Sequence, residues 1–360
     1  MTDHLSVGGK ERLADEALKL KKAWLLAAVW IGTDAFGGKL GPRELLIPAY
    51  KTWKRKDLQE HVPKLLEDFV STMSCFTTVK TRRQQERAAA WMAKHFERWQ
   101  AAGGGLYAVC TVQQFERDVG PLKVRAAMDL PPYTELLMQG LQSLAFRHPE
   151  YHQSRDLQFL FNLAHDAEAM IASVNWNRPP KWAYHGSENA QSLNRATIQT
   201  CFNLLESFTS GLARAFELKH PNLDDQTTKR LLDDTKPLRN RIIAVPEIIA
   251  GRSCGLDVNK PPISELFGPI KQRRDAFVHC VPGQVPHRGY VKESAFHDVP
   301  FDVVQSAVTL TLEIINCVWR FLHKTERPSW LPTIGSDGRF GRENLRLSPP
   351  PPVHAKRSDR

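Results

Sequence analysis

SLNRATIQTCFNLLESFTSGLARAFELK, residues 192–219, carries Ile198, Phe202, Leu205 and Phe208 at steps of four, three and three. That is the period of a helix with one apolar face. Three further stretches repeat the pattern. TTKRLLDDTKPLRNRIIAVPEIIAG (227–251) is broken by Pro237 and Pro246 and ended by Gly251. ISELFGPIKQRRDAFVHCV (263–281) and VPFDVVQSAVTLTLEIINCVWRFLHK (299–324) follow. Four helical segments joined by loops, with no strand signal among them, predict an antiparallel all-α bundle over 191–325.

Upstream the pattern changes. WLLAAVWI (24–31), VSTMSCFTTV (70–79) and LYAVCTV (106–112) are rich in β-branched and aromatic residues and read as strands, with LQFLFNLA (157–164) as a further one. TRRQQERAAAWMAKHFERW (81–99) and YTELLMQGLQSLAF (133–146) read as helices. Strands alternating with helices predict an α/β domain over 1–175, so the fold class is α+β overall. WNRPPKWAYHGSENA (176–190) reads as a linker. GSDGRFGRENLRLSPPPPVHAKRSDR (335–360) has four consecutive prolines, a basic end and almost no apolar period, and reads as a disordered tail.

Hydrophobic residues at 42% and charged residues at 24% are those of an ordinary globular chain. The net charge of +10 favours a polyanionic partner such as nucleic acid. Cys75, Cys110, Cys201, Cys254, Cys280 and Cys317 are scattered without C-x-x-C spacing, so neither a zinc site nor a disulfide framework is indicated, and reduced thiols in the cytoplasm are expected. AWLLAAVWIG (23–32) is shorter than the roughly 20 residues a bilayer needs, and reads as a buried strand or helix rather than a membrane or targeting segment.

The chemistry-bearing stretch is KQRRDAFVHC (271–280). Arginine followed five residues later by histidine is a weak pattern by itself. With a little freedom in the spacer, Arg55/His61, Arg178/His185 and Arg214/His220 match as well. What separates Arg274 is its context. The apolar stripe of its helix runs Phe267, Ile270, Phe277, Val278, Val281, and Arg274 falls inside it, where leucine is the usual occupant. An inward arginine costs stability unless it is paired or faces a wet cleft. His279 lies one and a half turns on, and Arg273 and Asp275 flank the pair.

A third helix carrying Arg274, Asp275, Ala276, Phe277, Val278 and His279, after an acidic first helix with Glu206, resembles the HEPN superfamily over 191–325. The resemblance implies metal-independent RNA cleavage, with His279 as acid/base, Arg274 as phosphate clamp, Asp275 orienting its neighbours and Glu206 holding Arg274, supported by Arg273. It implies no cofactor and no metal. It also implies a homodimer through the bundle, RNA as substrate, and a toxin or anti-phage role with an antitoxin or trigger. The residue types suit that chemistry: histidine exchanges a proton near neutral pH and arginine forks onto phosphate oxygens. Many HEPN-like bundles serve instead as binding or dimerisation modules.

Two weaker signals lie upstream. Trp53 stands among Lys51, Lys54, Arg55 and Lys56, and Arg82 and Arg83 add charge further on. Basic residues around an aromatic grip a nucleic-acid backbone and stack a base, although a solvated basic loop has the same composition. Asp34, Asp166 and Glu168, near the ends of expected strands, are loosely similar to the carboxylates with which RNase H-like domains hold metal, a second route to nuclease chemistry.

Overall fold

The computed structural model describes residues 4–31, 46–139, 144–278, 299–323 and 325–341. Among the described residues the fold is 67% helical with one three-stranded antiparallel sheet, hence α+β. It forms two compact units, the break falling between Arg147 and His148.

The first unit is built on α1 (His4–Ile31), against which α2 (Arg55–Met73) and α3 (Arg82–Ala101) pack. The stretch 24–31, one of the expected strands, is the last two turns of α1. Leu25, Leu26, Ala28 and Trp30 are all buried, so these turns are covered on every side. A helix buried all round loses the polar stripe that would reveal its period. Val70–Met73 likewise complete α2 rather than open a strand. The helix expected at 81–99 is α3, started by a capping box between Thr81 and Gln84. Rings of Phe76 and Phe115 sit 5.5 Å from that of Trp30 at the centre of the core.

The sheet consists of β1 (Leu106–Thr111), β2 (Glu135–Gln139) and β3 (Leu144–Arg147), in that order, with a bulge between Ala108 and Cys110. Two short helices, α4 (Val112–Asp118) and α5 (Val124–Ala127), lie between β1 and β2. The segment 133–146, expected as helix, thus supplies two strands. Leu136, Leu137 and Met138 are buried on both faces of the central strand, and that burial overrides their helical preference. The first unit is therefore not the α/β domain expected, for its sheet has no parallel pair.

The second unit begins with α6 (Pro149–Ala172), capped by His148, and α7 (Ala183–Lys219). LQFLFNLA lies inside α6, because its buried Leu157, Phe161 and Ala164 recur at four and three residues. The two helices pack antiparallel: a side-chain amide hydrogen of Asn194 reaches Glu168 at 2.7 Å, and Ile171 closes on Gly186. This corrects the expected boundary. Residues 148–175 belong with the second unit, and 183–190 of the expected linker are helix.

Then come α8 (Asp225–Leu232), α9 (Leu238–Ala250), α10 (Ile263–Glu265), a π turn (Leu266–Ile270), α11 (Lys271–Val278) and α12 (Phe301–Leu322). Among the described residues α12 alone is long and apolar enough to cross a bilayer. Its Val304, Val308, Ile314, Ile315 and Val318 are instead buried in the core of this unit. The start of the expected disordered tail is ordered. Phe340 is buried 5.3 Å from the ring of Phe161, and its backbone exchanges two hydrogen bonds with the Asn162 side chain. Residues 342–360 lie outside the described residues.

Candidate functional site

The helix bearing Arg274 is not a uniform α-helix. Pro269 sits inside the π turn at Leu266–Ile270, where it has no N–H to give the helical ladder. The wider turn changes which residues of α11 face inward. Ile270, Asp275, Ala276 and Phe277 are buried, whereas Val278, expected in the apolar stripe, is exposed. Asp275, expected to flank, is the inward residue, and Arg274 stands about one-fifth exposed at the edge of a cleft.

Three contacts hold Arg274. Its Nε donates to Gln199 Oε1 at 3.0 Å, and Nη1 donates to Asp275 Oδ1 at 3.0 Å. The guanidinium also lies 5.1 Å from the centre of the Phe202 ring, a cation–π distance. Gln199 is fixed in turn, its amide N–H reaching Asn203 Oδ1 at 2.8 Å. Asp275 is paired a second time, with Lys271 Nζ one turn earlier. The result is a connected chain from Asn203 through Gln199, Arg274 and Asp275 to Lys271. Its members lock the side-chain angles that an unpaired arginine leaves free.

The cleft encloses about 550 Å³. Asn203 and Glu206 of α7 form one wall, Pro237 and Arg239 at the start of α9 another, and Lys271 and Arg274 of α11 the third. Five charged side chains line it, three cationic (Arg239, Lys271, Arg274) and two anionic (Glu206, Asp275), and Asp275 is already spent on two of the cations. The first turn of α9 adds backbone N–H groups, the end of a helix that favours negative charge.

The expected site residues divide. Arg274, Asp275 and Glu206 share the cleft, but Glu206 is not the residue that holds Arg274; Gln199 takes the Nε. Arg273 is half-buried and is not part of the cleft wall. His279 lies outside the described residues, which stop at Val278 in this helix. The other arginine–histidine matches are used locally. The ring of His61 packs on Trp53, His185 pairs with Glu188 at 3.6 Å, and His220 Nδ1 contacts the Phe216 carbonyl at 2.9 Å. Sequence reasoning missed Gln199, Asn203 and Lys271. Their signal is two polar residues four apart beside the apolar stripe of α7, and a lysine one turn before Asp275.

In the first unit, Lys51, Lys54, Arg55 and Lys56 are exposed around the turn at Tyr50–Thr52 and the start of α2. Trp53 is half-buried, with rings of Tyr50 and His61 at 5.1 and 4.9 Å, so its faces serve packing rather than an open stacking platform. Arg82 and Arg83 are exposed at the start of α3, Arg82 on Glu86 at 3.1 Å. The carboxylates of the metal-nuclease reading do not converge. Asp166 and Glu168 sit inside α6, Asp166 bound to Arg339 at 2.6 Å and Glu168 to Asn194. Asp34 lies outside the described residues, among which no group of three His, Cys, Asp or Glu could hold a metal.

Comparison with family models, with curated proteins and with solved structures finds no match to this chain.

Proposed function

We propose that this chain is a metal-independent endoribonuclease of HEPN type, acting at the cleft where Arg274 stands. The observation that supports it most is the fixing of Arg274. A guanidinium pinned by Gln199, Asp275 and Phe202 at the rim of an open cleft is oriented before any ligand arrives. Its remaining N–H groups supply a fork for a phosphate, and Lys271 and Arg239 add positive charge on the walls.

In the proposed reaction a ribose 2′-hydroxyl attacks the adjacent phosphorus. His279 takes the hydroxyl proton as the new P–O bond forms. The bond to the 5′-oxygen breaks, and that oxygen takes a proton from solvent water as it leaves, giving a 2′,3′-cyclic phosphate and a 5′-hydroxyl end. Arg274 stabilises the charge that grows on the non-bridging oxygens. Asp275 and Gln199 position Arg274 and do not touch the substrate.

One observation favours a second reading. Asp275 neutralises much of the charge of Lys271 and Arg274, as it would in a non-catalytic module that binds RNA or a protein. Incubation with single-stranded and structured RNA in EDTA separates the two. The nuclease reading predicts cleavage with cyclic phosphate ends, abolished by Arg274→Ala and by His279→Ala. The binding reading predicts intact RNA and salt-dependent retention.

A further inference from the structure

We propose that the turn joining α6 to α7 is a membrane-binding tip that seats on the anionic lipid headgroups of a bilayer. Ten large apolar side chains stand exposed among the described residues, and four of them fall between Met170 and Tyr184. Tyr184 is 63% exposed, Trp176 48%, Trp182 46% and Met170 45%. At the areas usual for such side chains they present roughly 450 Å² to solvent, a patch of the size that marks an interaction site.

The charges around these rings are of one sign. No Asp or Glu stands between Glu168 and Glu188, whereas Arg178 and Lys181 lie within the turn. Both are exposed and neither enters an ion pair among the described residues. This composition selects the occupant. Tryptophan and tyrosine carry an apolar body and a polar N–H or O–H, and so collect where acyl chains meet headgroups. Lysine and arginine beside them match anionic headgroups, each strengthening binding about fivefold. A strand of RNA needs a run of cations to follow its backbone, and the turn offers two. The long apolar helix α12 is spent on the core, so the contact is peripheral and does not span the bilayer.

The rings are held before any lipid arrives. One edge of Trp182 packs on Gly186, where an added Cβ would meet the ring at 3.3 Å, and the Trp176 and Tyr184 rings lie 5.9 Å apart. The turn is closed by the Arg178 N–H on the Asn175 carbonyl at 3.0 Å and the Ala183 N–H on the Pro180 carbonyl at 2.9 Å. Side chains fixed in this way lose little freedom on binding. Tyr184 stands about 22 Å along α7 from Gln199. Interfacial side chains sink only about 5–10 Å, so a seated tip leaves the cleft in water. The inference does not depend on what the cleft does.

Co-sedimentation of the full chain with vesicles tests it, using phosphatidylcholine alone and phosphatidylcholine mixed with phosphatidylserine. The parent should be retained by the mixed vesicles and not by the neutral ones. The double variant Trp176→Ser/Trp182→Ser, which keeps the net charge, should bind at least ~10-fold more weakly, and Arg178→Gln/Lys181→Gln about 25-fold. Leu106→Ser, at a 64% exposed apolar residue of the first unit, should change nothing. All these side chains are exposed, so the far-ultraviolet spectra should match the parent. As a second measurement, acyl chains brominated near the headgroup should quench tryptophan emission in the parent and far less in the Trp176→Ser/Trp182→Ser variant. A parent that ignores the mixed vesicles overturns the proposal. So does vesicle binding that survives loss of both tryptophans, which would reflect net charge alone. Loss of single-stranded RNA binding in that variant, with no vesicle retention of the parent, would give the tip to nucleic acid instead.

Discussion

Replacing Asp275 by alanine removes a carboxylate whose side chain is only 5% exposed and which two cations share, Lys271 Nζ and Arg274 Nη1. Lys271 is about one-third exposed and regains much of its hydration, so its loss is small. Arg274 is about one-fifth exposed and keeps Gln199 and the Phe202 ring, so part of its cost is offset. Breaking a buried pair costs about 3–5 kcal/mol when the remaining charge is stranded, and an exposed pair about 0.2–1. The intermediate exposure of these cations, with a methylene and carboxyl volume left unfilled, places the loss at about 2–3 kcal/mol. For a domain of the second unit's size that lowers the unfolding temperature by roughly 5–10 °C. Calorimetry gives the change, and hydrogen exchange locates it, with faster exchange expected over α11 and the facing turn of α7. Asp275→Asn retains the shape and should recover part of the loss. A loss under about 0.5 kcal/mol for Asp275→Ala would refute the inward placement of Asp275, and with it the rotation of α11 attributed to the π turn at Pro269.

Three further outcomes follow from buried groups. Burial, with Arg98 and Lys94 nearby, pushes the His95 imidazole down to about 4. The unfolded chain therefore takes that proton first as pH falls, and the stability it lends above pH 6.5 is lost between about 6.5 and 4. Discounted for solvent screening, roughly 1–2 kcal/mol should disappear from denaturant midpoints over that window, and His95→Phe should flatten the profile. A parent profile flat from pH 7 to 4.5 would contradict it. Phe340→Ala empties a fully buried site against Phe161 and should cost about 3–5 kcal/mol in urea unfolding; a cost near zero would mean that residues 334–341 do not pack on α6. Arg241 is buried, donates to Ser210 Oγ at 2.8 Å, and has an Nε with no hydrogen-bond partner among the described residues. Arg241→Met should be neutral or up to about 1 kcal/mol stabilising in the same assay, and a loss beyond 2 kcal/mol would show the charge to be needed.

Segments whose period survives burial on one face were legible in the sequence. Ile198, Phe202, Leu205 and Phe208 announced α7, and the composition of 81–99 announced α3. Where burial is complete the period vanishes, and local composition misleads. Residues 24–31 are β-branched and aromatic yet helical, and Glu135–Gln139 are helix formers yet the central strand. The linker reading at 176–190 rested on two prolines and a glycine, but Gly186 sits inside α7, where an added Cβ would meet Ile171 at 3.0 Å. It is small for packing, not for turning. At the site, the arginine and the aspartate were legible, but which of them faced inward was not. The π turn shifts the register of α11 against the regular period, and Gln199 stands 75 residues from the side chain it fixes.

Single-turnover cleavage of RNA in EDTA by the parent and by Arg274→Lys tests the central claim most directly. Lysine keeps the charge but loses the planar fork and the Nε that Gln199 accepts from. The proposed function predicts that the parent leaves 2′,3′-cyclic phosphate ends. It predicts that Arg274→Lys is slowed at least ~100-fold while RNA binding changes by no more than about threefold. Intact RNA with the parent, or a lysine variant that cleaves at the parent's rate, would contradict it.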